Sequence, residues 1–224
     1  MKIDLVVFDL DGTLISSHET IYKATVHTLN ELGIEGDIPH NEFRSRIGMH
    51  FEDIFNDFGI KVPDFEIFIK IYKSVYFDFI DASGIYPGVL ETFNYLKRNR
   101  IKISLLTTKS QDQAEKILDY FNLSRYFDYI MGRRPGLDHK PSPEPLLKIC
   151  TDVSVQPGNS LIIGDSELDI QCGQNAGTRT GAVTYGYRTK EVLEKENPDL
   201  LLNSINELLS IDLLNDSIRS NAAG

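Results

Sequence analysis

The chain has 224 residues, 41% of them hydrophobic and 25% charged, enough to bury a full core and too ordinary for a disordered or low-complexity polymer. A net charge of −10, with no Lys/Arg-rich run to reverse it locally, excludes nucleic acid and anionic membranes as partners. An anionic small molecule stays admissible, because a few placed cations and amides set the field of a site. Cys150 and Cys172 form neither a Cys-x-x-Cys pair nor a Cys/His cluster, so they read as buried small hydrophobes rather than zinc or redox ligands. The N-terminal stretch is too short and too acidic for a signal peptide, and no apolar span reaches membrane length. A cytoplasmic protein, monomer or homodimer, is expected.

The first predicted element is a strand at Ile3-Asp4-Leu5-Val6-Val7, followed at once by Phe8-Asp9-Leu10-Asp11-Gly12-Thr13-Leu14. Gly12 breaks the strand as the second acid arrives, which places Asp9 and Asp11 at its exit. Residues 16–82 then show helical spacing without a convincing strand: Ile21, Ala24, Thr25, Thr28, Leu29 and Leu32, then Phe51 to Phe58, then Phe65 to Ile80. Small residues at Ile15-Ser16-Ser17 and Ala82-Ser83-Gly84 suit hinges at both joins. From about residue 85 helix and strand alternate. Helices are predicted from Gly88 to Asn99 and from Gln111 to Phe121, the latter with Ser110 as N-cap. Buried strands are predicted at Ile101–Leu106, Ser160–Ile163 and Thr180–Tyr185, with Tyr129–Met131 as a weaker candidate. The pattern predicts an α/β fold, a Rossmann-like parallel sheet flanked by helices, with an inserted all-helical cap. The domains would be 1–15 plus 83–224 for the core and 16–82 for the cap.

Ligands of open α/β sheets bind outside the carboxyl ends of the strands, so the residues just after each run matter most. Asp9 needs no base to act as a nucleophile, since an ordinary aspartate pKa of about 4 leaves it ionised at neutral pH. Phosphorus in a phosphate monoester is a suitable electrophile once a cation screens the repulsion. Asp11 can then protonate the leaving oxygen and later take a proton from water. Thr107 offers a hydroxyl, and the amides of Thr108 and Lys109, read as lying near a helix start, offer donors to a phosphoryl oxygen. Lys140 supplies a fixed positive charge that neutralises the transferring group and restrains Asp9. Asp165 and Asp169, at i and i+4, are read as neighbours on one helical turn that hold Mg2+ directly or through water. Singly, each of these residues also fits a turn, a solvated loop lysine or a helix cap; together they favour one phosphoryl-transfer site.

These motifs resemble the haloacid dehalogenase-like hydrolase superfamily. Its four motifs look like Asp9-Leu10-Asp11-Gly12-Thr13-Leu14, Leu105-Leu106-Thr107-Thr108-Lys109, Lys140-Pro141 and Gly164-Asp165-Ser166-Glu167-Leu168-Asp169. The resemblance implies Asp9 as nucleophile, Asp11 as acid and base, and Thr107 and Lys140 as phosphate binders. It also implies Asp9, the Asp11 carbonyl and Asp165 around magnesium, with Asp169 acting from behind them. The presence of Asp11 argues for a phosphatase and against a dehalogenase. The insert is similar to the C1 cap, and Thr184-Tyr185-Gly186-Tyr187-Arg188 with Asn197-Pro198-Asp199 looks like the phosphoglycolate phosphatase branch.

Departures are visible too. Ser16-Ser17 stands where that branch usually carries an acid, Thr108 where it usually carries Asn, and Ile21 where phosphohexomutases place a cap histidine, which speaks against mutase activity. Substrate choice is assigned to the cap loop Phe43–His50, where Arg44, Arg46 or His50 could meet the substrate; each arginine also fits a solvated helix face. The expected activity is Mg2+-dependent hydrolysis of a small phosphate ester such as phosphoglycolate, with pyrophosphate, nucleotides or sugar phosphates as alternatives. A receiver-like signalling domain fits less well, because its acceptor aspartate and acidic pair lie on different strands. A non-catalytic phosphate-binding member is the other alternative. No role is assigned to the tail from Asp212 to Gly224.

Overall fold

The computed structural model describes residues 2–211, and the tail from Asp212 lies outside the described residues. The chain divides into two compact units, 1–14 with 85–224 and 15–84.

The first unit is built on β1 (Leu5–Phe8), whose four residues are all buried. The chain leaves through β2 (Ile15–Ser16) for the second unit, α1 (His18–Glu31), α2 (His40–Arg44), α3 (Phe51–Asp57) and α4 (Phe65–Val75), followed by a 3-10 segment at Tyr76–Ala82. It returns through β3 (Gly84–Ile85), which pairs with β2, and continues with α5 (Val89–Arg98), β4 (Lys102–Ser110), α6 (Gln111–Tyr120) and β5 (Tyr129–Arg133). Then come α7 (Glu144–Asp152), β6 (Ser160–Gly164), α8 (Glu167–Ala176), β7 (Arg179–Val183), α9 (Lys190–Lys195) and β8 (Leu200–Leu202).

The six-stranded sheet runs β5-β4-β1-β6-β7-β8, and each neighbouring pair in it is parallel. Alternate residues of a strand face opposite sides, and both sides of β1 are covered. Leu5 and Val7 join Leu146, Ile149 and Cys150 of α7 and Cys172 and Ala176 of α8 in one apolar cluster. On the other side Phe8 packs against Phe93 of α5, ring centroids 5.4 Å apart. The strand order turns outward in both directions from β1, so the sheet's switch point lies at the carboxyl end of that strand.

The helical reading of residues 16–82 holds. α1 buries Thr20, Ile21, Ala24, Thr25, Thr28 and Leu29. Thr25 and Thr28 satisfy their buried hydroxyls by donating to the carbonyls of Ile21 and Ala24, each at 2.7 Å. Asp64 caps α4 through the amide of Ile67 at 3.0 Å, and Phe51, Phe55, Phe68 and Tyr72 form the aromatic centre of this unit. The stretch read as a loop at Phe43–His50 begins inside α2, which ends at Arg44.

Other boundaries move as well. β4 runs through Thr107, Thr108 and Lys109 to Ser110, the N-cap of α6, so these residues end a strand directly before a helix start. Asp165 precedes the N-cap Ser166 of α8 and lies outside the helix, so Asp165 and Asp169 do not share a helical turn.

Candidate active site

Every core residue singled out in the sequence lies in the first unit, at or beyond the carboxyl ends of β1, β4 and β6 or in the loop leading to α7. Asp9 directly follows β1, and its amide donates to the carbonyl of Ile163 on β6 at 2.9 Å. Lys140 Nζ stands 2.6 Å from Asp9 Oδ1 and 2.5 Å from Asp169 Oδ1, with all three side chains nearly or wholly buried. Asp169 Oδ2 accepts from the hydroxyl and amide of Ser166, at 2.6 and 3.2 Å. Both oxygens of Asp169 are therefore engaged.

Asp165 is gripped by backbone. Its Oδ2 accepts from the amide of Tyr187 at 2.7 Å. A Cβ on Gly12 would lie 2.2 Å from that same oxygen, and one on Gly186 would lie 2.2 Å from Asp165 Cβ. Gly12 also has φ +86°, a region that disfavours any other residue. Tyr185, beside Gly186, donates its hydroxyl to the Thr13 carbonyl at 2.8 Å and ties the loop after β7 to the loop after β1.

Asp11 meets a partner that sequence reasoning did not use. Lys109 Nζ lies 3.2 Å from Asp11 Oδ2. Sequence reading assigned Lys109 only through its amide, yet that amide donates to Thr107 Oγ1 at 3.2 Å. The register of β4 against β5 shifts between Leu106 and Ser110, so simple strand alternation does not signal this contact.

The charges do not balance within this cluster. Ligand oxygens of Asp9, Asp165 and Asp169 all lie within 4.8 Å of one another and are buried, around one ammonium. Burial, with Asp169 and Asp11 adding repulsion against the pull of Lys140, pushes Asp9 up to about 7. Asp165 is raised well above the usual carboxylate range by burial first and by Asp9 and Asp169 after it. Lys140 moves up, because its two carboxylates outweigh its burial. An oxygen-only donor set short of positive charge fits a hard divalent cation. Asp9 and Asp165 would hold it, while Asp169 is committed to Lys140 and Ser166.

The cap candidates belong to the second unit. Arg44 closes α2 and His50 is the N-cap of α3. Arg46 donates from Nε to Asp57 Oδ2 at 3.1 Å and from Nη1 to the Glu42 carbonyl at 3.0 Å, and covers the Phe58 ring at 4.8 Å. Arg46 thus lies on the turn after α2, engaged by Asp57 and Glu42, rather than on a solvated helix face.

Comparison with known proteins agrees with this geometry. Residues 6–183 match the family model of haloacid dehalogenase-like hydrolases. A pyrophosphatase PpaX from Bacillus cereus is 34% identical over 94% of this chain and 97% of its own. A phosphoglycolate phosphatase from Aquifex aeolicus is 33% identical over 92% of this chain and 95% of its own. The solved structure of a haloacid dehalogenase-like family hydrolase from Streptococcus pneumoniae superposes with a TM-score of 0.81 at 24% identity, over 93% and 97% of the two chains. The chain belongs to the haloacid dehalogenase-like hydrolases and, within them, to the phosphatases related to phosphoglycolate phosphatase.

Proposed function

We propose that the protein is a Mg2+-dependent phosphomonoesterase that works through a phosphoaspartyl intermediate on Asp9. The observation that carries this reading is the contact of Lys140 with Asp9 inside a buried trio of carboxylates, with Asp11 one turn residue away. Bound magnesium would supply charge screening between the carboxylate and the phosphoryl group.

The remaining chemistry belongs to the chain. A carboxylate oxygen of Asp9 attacks phosphorus, forming an O–P bond as the bond to the leaving oxygen breaks. Asp11 gives its proton to that oxygen. A water then attacks the phosphoaspartate, Asp11 takes the proton back, and inorganic phosphate leaves with Asp9 restored. Lys140 steadies the phosphoryl oxygens while Asp169 holds Lys140 in place. The hydroxyl of Thr107 is the next donor to the phosphoryl group, and Thr108 flanks it at the end of β4. The second unit acts as the cap, and Arg44, Arg46 and His50 are its candidate substrate contacts.

Phosphoglycolate is the first substrate proposed. Pyrophosphate is the second, favoured by 34% identity to PpaX along nearly the whole chain. Asp9→Asn tests the mechanism in a phosphate-release assay with magnesium or with EDTA. Wild-type turnover should vanish in EDTA, and the variant should lose at least about a thousandfold in kcat. Substantial magnesium-dependent turnover by Asp9→Asn would refute the role of Asp9.

A further inference from the structure

Two ammonium groups serve different carboxylates in this site. Lys140 is engaged by Asp9 and Asp169, on the side of the attacking atom. Lys109 stands at Asp11, on the side of the proton donor. Its side chain is only 8% exposed although it ends a strand, so most of a costly cation has been taken out of water. The hydrogen bond from its amide to Thr107 Oγ1 fixes the backbone from which it reaches.

A general acid has to stand against the oxygen it protonates. A cation held against that acid therefore stands where the leaving group departs. For an alcohol leaving group a charge there has little to meet. For a leaving group with its own anion close to the bridging oxygen it has a partner, and a mostly buried ammonium attracts it more strongly than one in water would. An ammonium, unlike a planar guanidinium, is a compact point charge whose three donors can serve two carboxylate-like oxygens at once.

We propose that Lys109 is a specificity-determining residue. Its ammonium, shared with Asp11, takes the anionic end of a substrate whose leaving group carries a carboxylate or a second phosphate next to the scissile bond. The inference rests on the phosphatase reading above and narrows its substrate class from within the core, whatever the cap contributes.

The test compares phosphoglycolate, pyrophosphate and phenyl phosphate as substrates for the wild type, Lys109→Met and Lys109→Arg, each with magnesium. Lys109→Met should lose about 100-fold in kcat/KM on the preferred anionic substrate, mostly through KM, and about fivefold on phenyl phosphate. Lys109→Arg should recover part of that selectivity. Whichever of the two anionic substrates suffers more identifies the anion as carboxylate or phosphate. Lys109→Gln, which keeps a donor for Asp11, should show the same change in selectivity should the Met variant fail to fold. Equal losses on all three substrates would overturn the proposal and leave Lys109 as a positioning residue for Asp11. A wild type that hydrolyses only phenyl phosphate would overturn it too. A wild type inactive on all three would instead sink the phosphatase reading, and this inference with it.

Discussion

Lys140 is the residue on which the electrostatics of the site converge. It places an ammonium within hydrogen-bond reach of both Asp9 and Asp169, and Asp165 crowds the same space. Lys140→Met keeps much of the stem's volume and removes the charge, leaving three buried carboxylates facing one another. Breaking a buried pair in this way costs roughly 3–5 kcal/mol. For a chain of this length that corresponds to a fall in Tm of very roughly 6–20 °C. The variant should also lose at least about a thousandfold in kcat, because in the proposed mechanism Lys140 is the cation that steadies the phosphoryl oxygens. Differential scanning calorimetry in EDTA checks the first outcome and phosphate release the second. A variant as stable as the wild type in EDTA would mean that Asp9 and Asp169 relax apart at little cost.

At the scale of elements, the start of α8 joins helix capping to the placement of Lys140, the proposed phosphoryl-binding cation. Asp169 accepts from the amide and hydroxyl of Ser166 with one oxygen and from Lys140 with the other, so one side chain both anchors the helix start and aims the lysine. Ser166→Ala removes the shorter of the two serine contacts and should cost about 1 kcal/mol in urea unfolding. It should also reduce kcat several-fold without moving KM, since Lys140 is loosened while the substrate contacts stay. A change confined to stability would separate the cap from the chemistry. The sequence carried much of this element's content and missed its geometry. Gly164-Asp165-Ser166-Glu167-Leu168-Asp169 marks a strand-to-helix junction with acids, but i, i+4 spacing suggested a shared turn. The capping preference of Ser166 starts the helix after Asp165, which leaves that acid on the turn. Likewise Thr107 was legible as a strand-exit hydroxyl, whereas the extension of β4 to Ser110 depends on β5, whose Arg133 pairs with Ser110. β8 escaped the sequence because its three leucines lack a β-branched or alternating signature. What places it is tertiary: Asp199 accepts from the Thr180 amide at 2.9 Å and pairs with Arg179 at 2.8 Å, fastening β8 to β7. Strand order and the approach of Lys109 to Asp11 are long-range facts of the same kind.

Across the whole molecule, the net charge of −10 and the buried carboxylates couple stability to pH and to divalent cations. In the metal-free fold Asp9 is pushed up from 3.8 to about 7, chiefly by burial. A group raised on folding gives its full stabilisation below its unfolded pKa and loses it as pH rises through its folded one. Asp9 therefore weakens the metal-free fold between about pH 4 and 7, and Asp165, raised by the same cause, acts in the same direction. Protons and magnesium compete for those oxygens, so a bound cation restores most stability where the carboxylates would otherwise stand ionised and unscreened. The Tm gained on saturation with magnesium should exceed that at pH 5 by about 5 °C or more at pH 8. General screening of a chain this acidic would raise Tm as well, so sodium chloride at matched ionic strength is the control and should give a small gain that changes little with pH. Asp165→Asn removes a proposed ligand and should abolish the difference between the two pH values. An equal magnesium gain at both, or one that survives in Asp165→Asn, would place the cation elsewhere on the acidic surface and leave the carboxylates of β1 and β6 without their metal.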